Sequence, residues 1–288
     1  MSFFDKLSDA LGLDGGERGL MAEYGKRFGG MAELQDALFE DGYPEDKLKE
    51  RVAGFAKDNG AHEYTLSFYL LYISAERLHK AYKERGVDEG IFWDTVMDLK
   101  YKLDECKALH GVSGTFVFDW FPGFYRMTRF ALGRLQYDVT VYPREDYVKG
   151  GVTVKKGAAA YSCHIPSSGP LDKESRIDSY KRAFKFFGKS KSDPLAVICD
   201  SWLLYPAQRE FLPPCRILEF MDDFDIISHE DKKGFPDAWR VFGKEHTLPL
   251  EKWPAKTSLQ RGYAARLKSG KPVGTGFGIL VFDGENIL

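Results

Sequence analysis

The chain has 288 residues with 43% hydrophobic and 15% aromatic content, enough for a packed core in one large domain or two ordinary ones. With 41 Lys and Arg against 43 Asp and Glu, the formal charge of -2 gives no global field to recruit nucleic acid or an anionic membrane. No apolar run approaches the roughly 20 residues that span a bilayer. MSFFDKLSDALGLDGG lacks the pattern of a secretory signal, and Cys106, Cys163, Cys199 and Cys215 show neither close pairing nor a CxxC. A cytoplasmic protein with reduced thiols and no metal site is expected.

Residues 1–130 read as a helical unit, broken at Gly15-Gly16, Gly29-Gly30, Gly42-Tyr43-Pro44, Asn59-Gly60 and Gly86. YPEDKLKERVAGFAKD sets Leu48, Val52 and Phe55 on one stripe after a Pro-Glu-Asp helix start. EYTLSFYLLYISAERLHKAYKERG is apolar nearly all round at its beginning, as suits a central helix, and DEGIFWDTVMDLKYKLDECKALHG forms a third helix ending at Gly111.

After about residue 130 the texture changes. GRLQYDVTVYP alternates Leu135, Tyr137, Val139 and Val141 against polar neighbours, the period-two pattern of a half-buried strand. A turn at Lys156-Gly157 and a second strand through YSCHIP follow. Leu195 to Cys199 reads as a strand covered on both faces, RILEFMDDFDIIS as a further short strand, and TGFGILVFDG as the strand that closes the sheet. Helical segments at about 172–187, 206–212, 236–242 and 257–268 lie between them. The predicted class is α+β or α/β: a helical domain over 1–130, then a mixed-sheet domain over 131–288.

Chemistry concentrates where strands stop. In YSCHIPSSGPLDKESRIDSYKRAFKFFG a strand meets Pro166, turns through Ser167, Ser168, Gly169 and Pro170, and becomes a helix with Asp172 as N-cap. Unpaired amides at a fresh helix start can cradle an anion, and a plain strand-to-helix connection gives the same sequence; Asp172 and Glu174 weaken the anion reading. The available donors are the amides of Ser167, Ser168, Gly169 and Leu171. Cys163 and His164 are adjacent on a strand and face opposite ways, so they cannot form a nucleophile–base dyad. Cys163 reads as core, and His164 as either a structural histidine or a base. Asp200 follows a buried strand and is either a general base or a turn residue, with Tyr205 a general acid if its hydroxyl faces the same cleft. Gly274, Gly276 and Gly278 lack the dinucleotide fingerprint and read as thinning one strand face for close packing.

In order and in detail, LGRLQYDV, HIPSSGPL, CDSWLLYP, ILEFMDDFDI and LPLEKWPAKTSLQRGYAARLKSGKPVGTGFG resemble a bacterial group of GNAT-like acyltransferases that carry an all-helical N-terminal domain. The resemblance covers about residues 131–288 and implies transfer of an acyl group, acetyl in the first instance, from acetyl-CoA or another acyl-CoA to an amine of a small molecule or protein. It implies that the backbone of Cys163, His164 and Ile165 pairs with pantetheine and that Ser167, Ser168, Gly169 and Leu171 hold the pyrophosphate; from their places near the strand ends, Asp200 or His164 is expected to act as base and Tyr205 as acid. Transfer would be direct, with no covalent enzyme intermediate. The superfamily turn runs Gln or Arg, two residues, Gly, one residue, then Gly or Ala, whereas this chain has the single Gly169 followed by Pro170. The alternative is a catalytically inactive GNAT-like module that binds a ligand or a protein.

Overall fold

A computed structural model describes all residues, 1–288, and the chain divides into two compact units, Met1–Ala131 and Leu132–Leu288. The first is helical: α1 (Phe3–Ala10), α2 (Gly15–Phe28), α3 (Ala32–Phe39), α4 (Glu45–Asp58), α5 (Glu63–Glu84), α6 (Glu89–His110) and the short α7 (Pro122–Tyr125). Its centre is α5, whose Leu66, Phe68, Leu70 and Leu71 are almost wholly buried, as near-uniform apolarity requires. Gly15-Gly16 does not break the chain. It forms the first turn of α2, because Asp14 caps that helix and Glu17 closes a capping box, and these contacts outweigh the low propensity of glycine.

In the second unit, β1 (Arg129–Leu132) spans the unit boundary and is followed by β2 (Leu135–Val141), the hairpin strands β3 (Tyr147–Lys149) and β4 (Val152–Val154), and β5 (Ala159–His164). Then come α8 (Lys173–Phe186), β6 (Leu195–Ser201), a single turn at Trp202–Leu204, α9 (Gln208–Phe211), α10 (Arg216–Met221), β7 (Asp225–Lys232), α11 (Ala238–Phe242), α12 (Ser258–Lys268) and β8 (Val273–Phe282). The main sheet has the order β1-β2-β5-β6-β8-β7, with β5 and β6 parallel and the β2–β5, β6–β8 and β7–β8 pairs antiparallel.

Two expectations need correction. RILEFM is the helix α10 rather than a strand, since a six-residue apolar run carries no decisive period and Leu, Glu and Met favour helix once Cys215 has turned the chain. On β2 the alternation extends further than the burial: Leu135 and Tyr137 are covered, while Val139 and Val141 stand exposed. The β3–β4 hairpin, which the sequence pattern did not single out, supplies Val154 to a core with Ala160, Ala196, Ile198, Phe277 and Ile279 on one face of the sheet.

The glycines of β8 permit a close crossing. A Cβ on Gly276 would lie 2.0 Å from the carbonyl oxygen of Leu204, and one on Gly274 2.0 Å from that of Glu230. The turn after β6 therefore rests directly on the β8 backbone. A buried ion pair fixes α8: Nε of Arg176 donates to Oδ2 of Asp223 at 2.6 Å, and the Tyr180 hydroxyl donates to the same oxygen at 2.9 Å. No helix is long and apolar enough to cross a membrane.

Candidate active site

The parallel register between β5 and β6 is confined to Tyr161↔Val197 and Ser162↔Ile198. Beyond it β5 runs on to His164 still paired with β2, and β6 runs on to Ser201 still paired with β8. The ladder between the two strands therefore ends there, and beyond the Cys163–Cys199 contact the backbone of His164 and Ile165 borders an opening on the β6 side. Strand alternation puts His164 on the same face as Ala160 and Asp200 on the same face as Ala196 and Ile198, all members of one core face. His164 and Asp200 thus flank the opening from one side.

Cys163 points the other way. It is 2% exposed, and its thiol lies against that of Cys199; burial first, and then the Cys199 contact, pushes its pKa well up, so it stays a neutral thiol.

His164 has a partner that the sequence did not reveal. Its Nε2–H donates to Oδ2 of Asp138 at 2.8 Å, across the β2–β5 pair. A carboxylate on Nε2–H fixes the neutral tautomer and places the basic lone pair on Nδ1. Spacing along one strand could not show this, because Asp138 lies 26 residues away and only antiparallel pairing makes it a diagonal neighbour. Asp200 is exposed and makes no side-chain hydrogen bond or ion pair. The Tyr205 hydroxyl donates to Oδ1 of Asp231 at 2.6 Å, and burial, followed by that carboxylate, raises its pKa. A phenol so held is a weaker acid than a free one.

The turn after β5 has its polarity sorted. Arg134 donates Nη1–H to the Pro166 carbonyl at 3.0 Å, Nη2–H to Gly169 at 3.0 Å and Nε–H to Pro170 at 2.9 Å. Arg176 donates Nη1–H to the Leu171 carbonyl at 2.8 Å. Four carbonyls are taken by two guanidinium groups, while the amides of Ser168, Gly169 and Leu171 donate to nothing in the protein. Ser167 and Gly169 are exposed, Ser168 is half-buried, and a Cβ on Gly169, whose φ is +98°, would meet nothing within 4 Å. Asp172 caps α8 by accepting from the Ser175 amide at 2.9 Å, so its charge is spent on the helix start.

Beside this opening, a hollow of about 350 Å³ lies between the 142–147 segment and Ile227–Ser228, with Tyr142, Arg144 and Tyr147 in its wall. Ser228 pairs with Phe277, which pairs in turn with Asp200, and the Arg144 guanidinium sits 4.9 Å from the centre of the Phe277 ring.

A parallel strand pair whose ladder ends ahead of an amide-rich turn and helix is the arrangement of a GNAT-type acyl-transfer fold. Residues 130–280 match the family described as GNAT-like C-terminal domain, and residues 10–127 match that described as N-acyltransferase N-terminal domain. The chain belongs to this family of GNAT-like N-acyltransferases. It is similar in structure to an acyltransferase solved in complex with decanoyl-CoA (24% identity, 77% of this chain and 67% of that one, TM-score 0.65). An acyltransferase in complex with decanoyl-CoA and teicoplanin shares 19% identity over 98% of this chain and 100% of that one, with a TM-score of 0.67, and a complex with CoA and 10C-teicoplanin gives the same values. No curated protein matches the chain in sequence.

Proposed function

We propose that the protein moves an acyl group from acyl-CoA to the amine of a small-molecule acceptor. The observation that carries this reading is the end of the β5–β6 ladder after Ser162↔Ile198, directly ahead of a turn in which the Pro166, Gly169, Pro170 and Leu171 carbonyls are occupied while the Ser168, Gly169 and Leu171 amides donate to nothing in the protein. The pantetheine arm lies along the Cys163–Ile165 edge, and the diphosphate lies on the amides of Ser168, Gly169 and Leu171. The acetyl donor expected from sequence is one candidate; the octanoyl- and decanoyl-CoA held by similar folds favour a longer acyl chain.

In the reaction, Nδ1 of His164 takes a proton from the acceptor ammonium, directly or through one water, while Asp138 orients the ring and stabilises the imidazolium. The amine attacks the thioester carbonyl, and a strand-edge N–H receives the developing oxyanion. Collapse breaks the C–S bond, the departing thiolate takes the second nitrogen proton, and His164 returns the first to solvent. Asp200 borders the opening as an acidic wall, and Tyr205 stays bound to Asp231. The acceptor lies in the hollow of Tyr142, Arg144 and Tyr147, and the similar fold that holds teicoplanin supports a small-molecule amine over a protein.

Thermal unfolding with acetyl-, octanoyl- and decanoyl-CoA tests the donor. Ligand at a hundred times its Kd adds about 2.7 kcal/mol. Release of free CoA thiol across a panel of amines tests turnover. No stabilisation by any of the three donors at millimolar concentration rejects the reading, and binding without amine-dependent thiol release marks an inactive module.

A further inference from the structure

We propose that Arg134 is a positioning residue for the acyl donor: its guanidinium holds the Pro166–Pro170 turn in the shape that receives a diphosphate before the ligand arrives. The inference rests on the acyl-CoA reading above and assigns a role to a residue outside the turn, the opening and the base.

Three carbonyls converge on one planar group. Pro166, Gly169 and Pro170 each accept from a different nitrogen of Arg134, at 3.0, 3.0 and 2.9 Å. A peptide plane whose C=O points to the guanidinium points the N–H of the following residue away from it, so the held Pro170 carbonyl fixes the direction of the Leu171 amide, while the Gly169 carbonyl, followed by Pro170 with no N–H, ties down the middle of the turn. Arg134 follows β1 in the tight connection to β2 and lies 32 to 36 residues before its partners, which anchors the turn to the sheet instead of to itself. The turn contains one glycine and two prolines where the superfamily pattern uses glycines, so its own sequence does not close a glycine-rich cradle. The fork of Arg134 supplies that order from outside, and its charge neutralises the carbonyl dipoles on the side away from the ligand. A binding loop ordered in advance loses less freedom on binding, and the gain appears in affinity.

The positioning role predicts dependence on the diphosphate. Octanoyl-CoA carries that group and octanoyl-pantetheine does not, so the two probes are titrated by calorimetry against wild type, Arg134→Gln and Arg134→Lys. Arg134→Gln weakens octanoyl-CoA about 10- to 100-fold, the range known for loss of an outer hydrogen-bond partner behind a metal ligand and taken here as the scale for a group that supports a binding residue, and leaves octanoyl-pantetheine within about twofold of wild type. Arg134→Lys keeps the charge, cannot reach three carbonyls at once, and loses about as much as Gln. Equal loss for both probes overturns the proposal, because the effect is then a general loss of fold. Unchanged octanoyl-CoA affinity in Arg134→Gln, or wild-type affinity in Arg134→Lys, also overturns it while leaving the acyl-CoA reading intact. Failure of wild type to bind octanoyl-CoA rejects that reading and the proposal with it. If Arg134→Gln does not fold, the comparison of the two probes in Arg134→Lys decides the matter.

Discussion

His164 on β5 donates its Nε2–H to Asp138 on β2 at 2.8 Å, and this pair borders the place where β5 leaves β6. Asp200, the other candidate base, sits exposed at the end of β6 without a partner. Removing a positioned general base costs typically 10²- to 10⁴-fold. We therefore expect His164→Ala to lower kcat by about that much and Asp138→Asn by about 10- to 1000-fold, with octanoyl-CoA binding kept in both. Asp200→Asn is expected to stay within about tenfold of wild type. Thiol-release kinetics check the set, and a larger loss for Asp200→Asn than for His164→Ala would exchange their roles.

Gly169 lies at the exposed tip of the turn, with φ +98° and open space where its Cβ would be. A carboxylate placed there faces the diphosphate, and a unit charge at a protein surface is worth about 1–4 kcal/mol at 4 Å. Gly169→Asp is expected to weaken octanoyl-CoA about 100-fold, with Gly169→Ala reporting the backbone strain alone. Equal affinities of the two variants, measured by calorimetry, would move the diphosphate away from this turn.

Gly276 tests the crossing of the Trp202–Leu204 turn over β8. Its Cβ would press on the Leu204 carbonyl oxygen and carbon at 2.0 and 2.6 Å, and neither backbone atom can rotate away as a side chain would. Gly276→Ala should cost about 3 kcal/mol or more in denaturant unfolding, at the upper end of overpacking. A loss below about 1 kcal/mol would show that the turn does not rest on the strand.

Asp225 links the β3–β4 hairpin to β7. Burial raises its pKa, but hydrogen bonds from Lys149 and Tyr147 outweigh that and hold it below the usual carboxylate value. A carboxylate depressed in the folded state adds stability at pH values above its unfolded pKa and loses it as pH falls through the folded one. The melting-temperature difference between wild type and Asp225→Asn should be greatest near neutrality and shrink below about pH 4. A difference that stays constant down to pH 2 would remove the ion pair from the account.

Much of this molecule is legible in its residues taken in order. Caps and apolar stripes announced α4, α5, α6 and α8, and the residues from Tyr161 to Gly188 announced the order strand, turn, helix, because helix starts, turns and periods of 2 and 3.6 residues are local properties. The short run RILEFM misled, since six residues carry too little periodicity to separate helix from strand.

The amino-acid sequence by itself determined the helical first unit, the mixed-sheet second unit and the position of the turn between β5 and α8. Only the tertiary structure decided which groups act together: Asp138 with His164, Arg134 with the turn carbonyls, Tyr205 with Asp231. Each of these pairs joins groups 26 to 36 residues apart whose meeting depends on strand register and chain crossing, and register is set by the packing of the whole sheet rather than by either partner's neighbours.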